Sequence, residues 1–376
     1  VIRMKNKIYK YFFYEFIRYF TTVLFALTAI IWTIQAVNLL DLVIDDGHAF
    51  MVYLGYSFLT LPKIFTKLIP FTFLIASVLT ILKFEKDNEL IVLWTSGLNK
   101  IRVVNLVFSI SLLIMLIQLI LSIFITPQTL NYSRSILKNS ELQFVPSLLK
   151  EKQFNDTVEG LTIFVDKKEP DGKYKNIFIR DDGNVLTKVS KGTSTIFAKS
   201  GFVSSDEKSL ILLNGIIQKF ENNKSINMIT FEKTVLNLSG LSTKSITEPK
   251  LQETSTFLII KCMTTKNVIL LNCNTQNENK KDTKIEINKR FGMPLFIPLI
   301  SLMVCFLLSF SQKTIFGLSR HLYFFLGFVI LLSAEITVRY SGNSLNHTLI
   351  YYFIPIALIP IFYFILIKKF KYENLY

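Results

Sequence analysis

The sequence predicts a membrane α-helical protein, with six transmembrane helices in two blocks of three and an extracytoplasmic all-β, jelly-roll-like domain inserted between them. Three observations carry this prediction. Hydrophobic residues make up 51% of the chain and mean hydropathy is +0.42, beyond the apolar share of an ordinary soluble domain. Six apolar runs are each long enough for a hydrocarbon core that needs roughly 20 residues. Between the third and fourth runs the composition becomes that of a soluble domain, with short β-rich segments set off by turn residues. The division is residues 1–127, 128–290 and 291–376.

The chain opens with a basic segment (Arg3, Lys5, Lys7, Lys10) and an aromatic stretch around Arg18 that suits a membrane interface, then a first span over Phe20 to Leu40. This run is too long for a cleaved signal peptide and lacks a small-residue cleavage site. The following segment carries Asp41, Asp45 and Asp46 without lysine or arginine and is expected to face away from the cytoplasm. A second span, about Val52 to Leu82, contains Pro62 and Pro70, which are expected to kink it, and Lys63 and Lys67. Those lysines, at i and i+4, share one helix face and should line a cavity or snorkel to an interface.

A charged island, about residues 85–97, interrupts the apolar pattern. Asp87 and Asn88 can cap a helix, Leu90, Leu93 and Trp94 fall at i, i+3 and i+4, and Gly97 can end it. The result reads as a short amphipathic helix at the membrane surface, its stripe lying on lipid or fitting a partner's groove. Lys83, Lys86, Lys100 and Arg102 place it on the cytoplasmic side. A third span, Val103 to Ile125, is expected to stop at Thr126-Pro127.

Strands are expected at Leu161–Val165, 176–180, 194–198, 210–213, 216–220 and 226–231, with hairpin turns at Asp171-Gly172, Asp182-Gly183 and Asn214-Gly215. A sandwich or jelly roll follows from that spacing. A connector from Ser239 to Asn288 leads back to spans at Phe291 to Phe310, Leu322 to Val338 and His347 to Ile367. Lys313, Arg320 and the terminal Lys368, Lys369 and Lys371 put their ends in the cytoplasm, so both termini lie inside.

The formal charge of +15, from 42 basic against 27 acidic residues, suits an anionic partner such as phospholipid headgroups or a phosphorylated lipid. No basic stripe stands outside the hydrophobic architecture, which argues against nucleic acid. The three histidines, His48, His321 and His347, lie near membrane boundaries without metal-ligand spacing, so neither a metal nor a cofactor is expected. No GxSxG elbow or GxxxxGK[ST] loop occurs, so any ATP-driven work belongs to another chain. The acid pairs Asp45-Asp46 and Asp181-Asp182 read as solvated turns rather than cation sites. Cys262 and Cys273 are spaced to permit a bridge, with free thiols the expected state.

With these residues in view the chain resembles the LptF/LptG (YjgP/YjgQ) family of lipopolysaccharide export permeases over nearly its whole length. The features that carry the resemblance are the 3+3 order and Asp87-Asn88-Glu89-Leu90 followed by Leu93 and Thr95-Ser96-Gly97. Pro62, Pro70, Pro127 and Glu286-x-x-x-Arg290 support it. Gly160–Val165 and Tyr174–Phe178 look more like the β domain of the F subunit.

The resemblance implies a non-hydrolytic subunit of an ABC transporter in the bacterial inner membrane. It would pair with an LptG-like permease over an LptB-like ATPase dimer and pass lipopolysaccharide to the periplasmic jelly roll of an LptC-like protein. The first and fifth spans would line the lipid cavity. The island would be the coupling helix, with Glu89 making the polar contact to the ATPase and Leu90, Leu93 and Trp94 filling the apolar surface. Lys63, Lys67 and Arg339 are the candidate headgroup contacts, and Phe164, Phe178, Phe197 and Phe220 the candidate lining of an acyl-chain groove. Where family members carry a basic residue low in the first span, this chain has Gln35, Ala36 and Asn38. Outside the resemblance, the residues also fit a membrane-anchored adhesion or structural protein and, less well, a glycolipid-directed membrane enzyme.

Overall fold

A computed structural model describes residues 2–40, 43, 50–139, 149, 151–156, 160–182, 193–204, 209–220, 226–237, 250–264, 277–308 and 320–373. The chain forms two compact units, one of Val1–Trp32, Leu61–Leu130 and Lys250–Tyr376, the other of Thr33–Thr60 and Asn131–Pro249. Among the described residues six helices are long and apolar enough to cross a membrane: Lys7–Asn38, Phe50–Lys86, Lys100–Leu137, Lys281–Leu308, Leu322–Tyr340 and Leu345–Lys371. A six-stranded antiparallel sheet is inserted between the third and fourth, so the expected membrane-helical fold with a β insertion is present.

Several element ends differ from expectation. The first helix, α1 (Ile2–Asn38), begins well before Phe20 because its polar first turns also bury Phe12 and Phe16 in the core. The second span divides into α2 (Phe50–Leu59) and α3 (Leu61–Lys86), breaking at Thr60 just ahead of Pro62, while Pro70 sits inside α3. A short helix, α4 (Glu89–Thr95), follows, then α5 (Lys100–Ile120).

The expected stop at Thr126-Pro127 does not occur. A π-turn, Leu121–Ile125, runs directly into α6 (Thr126–Asn139). The i→i+5 ladder already shifts the hydrogen-bond register there, and Pro127, at the second residue of α6, has a missing N–H that a helix start tolerates.

The connector after the sheet is helical at α7 (Thr256–Thr264) and α8 (Asn277–Gly292), which leads through a 3₁₀ turn into α9 (Phe296–Cys305). The last two helices are α10 (Arg320–Tyr340) and α11 (Leu345–Glu373). Every residue of α9 is buried, as expected of a helix apolar all round, and it packs on α3, α5, α10 and α11. Buried hydroxyls in these spans donate to carbonyls one turn back, Ser77 to Phe73, Thr80 to Ala76 and Ser301 to Pro298, so they cost little.

The sheet strands are β1 (Phe154–Asn155), β2 (Leu161–Lys168), β3 (Lys173–Asp181), β4 (Ser194–Val203), β5 (Ser209–Phe220) and β6 (Ile226–Asn237), and they neighbour one another in chain order. The Asp171-Gly172 hairpin forms as expected, with Gly172 left-handed at φ 82°. Asn214-Gly215, in contrast, is not a turn. The chain runs straight through it as one strand of 12 residues.

Asn214 takes φ 51°, and Asn176 on β3 takes φ 52°. Across the row Asn176, Lys199 and Asn214 the inward-facing set shifts by one residue while pairing continues on both sides, as in Ala198 followed by Gly201 on β4. Asparagine tolerates the left-handed bend such a crease needs. A Cβ on Gly215 would lie 2.3 Å from the Phe197 carbonyl oxygen, so the bare backbone there allows close strand approach.

Asp181, expected in a solvated turn, is fully buried at the end of β3 opposite Leu161 and Ser194. Cys262 is disulfide-bonded rather than a free thiol, a crosslink that suits a connector outside a reducing compartment. Asp45-Asp46, Gly183, Cys273 and Lys313 lie outside the described residues.

Candidate functional site

Three surfaces hold the residues singled out by the sequence. The first is α4. Its predecessor α3 ends at Lys86, and Asn88 turns the chain with φ 56°. Asn88 occupies the N-cap position but makes no side-chain cap bond; its left-handed backbone ends one helix as the next begins.

At the far end Leu98 N–H donates to Leu93 O at 3.1 Å and Gly97 N–H to Trp94 O at 3.0 Å, with Gly97 at φ 78°. This is a Schellman closure, and the expected stop at Gly97 is found. Asn99 then caps α5 by accepting from Ile101 N–H at 3.0 Å.

The stripe faces inward. Leu90 is buried, and Leu93 and Trp94 are half-buried against the transmembrane core, while Ile91 and Val92 are exposed at 53% and 64%. Apolar spacing marks a face and not what the face meets, and on this chain the stripe of Leu90, Leu93 and Trp94 packs against the membrane core, with Leu93 and Trp94 still partly exposed. Lys100 Nζ lies 5.7 Å from the ring centres of both Trp94 and Phe370, tying α4 to α11. Glu89 is half-buried, and its Oε1 accepts from Tyr11 O–H at 3.1 Å. A cavity of about 330 Å³ beside α4 is lined by Leu82, Glu85, Lys86, Leu90, Trp94 and Leu307 among others.

The second surface is a cavity of about 290 Å³ between spans. Lys63 and Lys67 line it together with Glu286, Lys289, Arg290 and Glu335. Arg290, 3% exposed by side chain, donates to Glu286 Oε1 (3.0 Å), Thr254 O (3.0 Å), Thr256 Oγ1 (2.7 Å), Leu251 O (3.1 Å) and Gln252 O (3.2 Å). Its charge and all its donor directions are thus committed to holding the connector on α8. Thr256 O–H in turn donates to Ile123 O in the π-turn at 2.7 Å.

Lys289 pairs with Glu335 at 3.3 Å. Lys63 and Lys67 make no ion pair among the described residues, which leaves a surplus of two positive charges. Gln118 Oε1 and Thr126 Oγ1, also on the wall, are buried without a hydrogen-bond partner among the described residues. The site therefore suits a polar, anionic guest. Arg339 is exposed one turn beyond Glu335 and does not line this cavity. Lys289 and Glu335 were not singled out from the sequence, although an acid inside an apolar span is itself a signal.

The third surface is the sheet. Phe164, Phe178 and Phe197 stand in one cross-strand register, on the face opposite buried Ile163, Ile179 and Ile196. Phe178 and Phe197 rings lie 5.2 Å apart. Phe154, not anticipated, extends the row with its ring 4.7 Å from Phe164. Phe220 ends β5, and its side chain lies outside what the structure describes. Among the described residues no group of three or more His, Cys, Asp or Glu is placed to hold a metal.

Residues 10–369 match the family model described as lipopolysaccharide export system permease LptF/LptG. The chain is also similar to an uncharacterized protein, RP871, of Rickettsia prowazekii (strain Madrid E). The two are 27% identical over 316 residues, which cover 82% of this chain and 84% of that relative.

Proposed function

The chain belongs to the lipopolysaccharide export permease family LptF/LptG, and from that premise we propose that it is the membrane subunit through which a separate ATPase drives lipopolysaccharide out of the inner membrane. Members of this family are non-enzymatic transmembrane subunits, and the family model covers both paralogues without separating them. In the proposed assembly this chain takes the F position beside a G-type permease. An ATPase dimer sits on the cytoplasmic side and an LptC-like jelly roll receives lipid in the periplasm. The adhesion reading is not favoured by the family.

The observation that carries the proposal is the mounting of α4. Its inner face is fixed to the transmembrane core through Leu90, Leu93 and Trp94, and its outer face offers Ile91 and Val92 beside a half-buried Glu89. A helix lying on lipid would turn its apolar stripe outward. This one spends its stripe on rigidity and keeps a small mixed surface for a protein partner. Force applied there reaches the spans without a loose joint.

Other features support the same reading. The first, fifth and sixth spans are the most exposed within the chain, unlike the second and fourth. On α10, Phe325, Val329, Leu332 and Ile336 form an exposed stripe at i, i+4, i+7 and i+11, and Phe25 and Ile30 are exposed on α1. Such walls suit acyl chains. Lys63 and Lys67, with the surplus charge of their cavity, would meet phosphate groups, and Arg339 would meet them from outside it. The half-exposed phenylalanine row on the sheet would cover acyl chains in transit. The disulfide at Cys262 supports a periplasmic connector, since the cytoplasm keeps thiols reduced.

Affinity purification from native membrane in mild detergent, with mass spectrometry of what is retained, tests the assembly. Recovery of a second six-span permease and a soluble ATPase is the expected result. A chain that emerges without either would overturn the proposal.

A further inference from the structure

From its third turn onward α1 is bound to both α3 and α4 by a cluster around Tyr11, Phe12 and Glu15. The Tyr11 ring meets Phe84 edge-on at 5.6 Å, and Phe12 stacks on the same ring at 5.0 Å. Lys83 Nζ pairs with Glu15 Oε2 at 2.9 Å, where the Glu15 side chain is 8% exposed, and lies 5.8 Å from the Tyr11 ring centre. Arg18 stands 4.0 Å from the same Glu15 carboxylate. From this base the Tyr11 hydroxyl reaches 78 positions along the chain to donate to Glu89 Oε1 at 3.1 Å.

This geometry fixes one oxygen of Glu89 and leaves the other, which makes no hydrogen bond among the described residues. A carboxylate on a short helix has several rotamers, and a donor on one oxygen selects among them. The donor belongs to α1, a helix without a break over 37 residues, which carries exposed Phe25 and Ile30 further along. A continuous helix transmits an axial or rocking displacement of one end to the other because each turn is held by its own hydrogen bonds.

We propose that Tyr11 is a positioning residue for Glu89, holding one carboxylate oxygen so that the other faces the ATPase, and that this contact carries movement of α4 into the first span. The inference rests on the reading of α4 as the ATPase contact. Without the Tyr11 hydroxyl the push on α4 would reach α1 only indirectly, through the core and the contacts of α1 with Phe84 and Lys83 on α3. The hydroxyl is thus a link in coupling rather than a support of the fold.

The test uses the full complex of this chain, its partner permease and the ATPase, in phospholipid vesicles carrying purified lipopolysaccharide. Lipopolysaccharide released to a soluble periplasmic acceptor is measured per ATP hydrolysed for wild type, Tyr11→Phe, Glu89→Ala and the double variant. Tyr11→Phe keeps the ring on Phe84 and removes only the donor. Loss of one such hydrogen bond should lower the yield per ATP by about two- to tenfold. In the Glu89→Ala background the same change should have no further effect, because the acceptor is already gone.

A wild-type yield for Tyr11→Phe beside an uncoupled Glu89→Ala would overturn this inference alone, as would an undiminished Tyr11 effect in the double variant. Failure of Tyr11→Phe to insert and assemble would overturn it too, by making the hydroxyl a structural support. A wild-type yield for Glu89→Ala would remove the reading beneath it, and this inference with it.

Discussion

Arg290 shows how much a single side chain can commit to one place in this protein. A guanidinium 3% exposed is stable only if its charge and donors are met, and Glu286, three carbonyls and Thr256 meet them. Arg290→Ala would leave Glu286 half-buried without its partner and release residues 251–256 from α8. We expect a loss of about 3–5 kcal/mol, read as a lowered unfolding midpoint in detergent, and little rescue by Arg290→Lys, whose single ammonium cannot reach five acceptors. Unfolding at the wild-type midpoint would contradict the role.

Residue-level features were legible to different depths. The Glu286-x-x-x-Arg290 spacing is visible as an i, i+4 pair, but its tie to residues 251–256 and through Thr256 to the π-turn is a tertiary fact. Lys63 and Lys67 could be placed on one helix face from spacing alone, and they line a cavity together. Lys289 and Glu335 lie 46 positions apart, and only the packing of α8 on α10 brings them within 3.3 Å.

At the scale of elements, the turn chemistry that ends α4 is what lets a helix of seven residues hold a fixed direction. Alone it would be too short to persist in water. Gly97→Ala places a Cβ in open space, so packing is unaffected, yet a left-handed alanine costs about 1–2 kcal/mol. The chain should therefore insert normally while retaining less ATPase during purification, and Gly97→Asn, whose side chain tolerates this conformation, should retain more than Gly97→Ala. Equal retention by glycine, asparagine and alanine would show that the Schellman closure does not govern α4.

The elements also explain where local signals misled. Gly97 ended its helix as spaced, because nothing tertiary competes with a glycine beyond a helix end. Asn214-Gly215 carries an equally strong turn signal, but β4 and β6 continue on either side, and their pairing converts the left-handed asparagine into a crease. Leu90, Leu93 and Trp94 gave the helix but not the core that its stripe packs on. Periodicity marks an apolar face, and whether it meets a partner or the chain's own core depends on residues far away, here Leu98 and the helices of the membrane core.

For the whole molecule, the six spans and inserted sheet were readable because membrane length and charge at span ends are sequence-local constraints. The permease family fits that frame: a buried centre around α9, long apolar helices with exposed faces, and a short helix, α4, fixed to the membrane core. In the proposed function, ATP hydrolysis on a separate subunit becomes lipid movement through α4. The most direct measurement is ATP-dependent release of lipopolysaccharide from vesicles holding the whole complex, comparing wild type with Glu89→Ala. Release by wild type only when ATP is hydrolysed, and its loss in Glu89→Ala while the chain still folds and inserts, is the predicted result. Equal release by both, or release that ignores ATP, would contradict the claim.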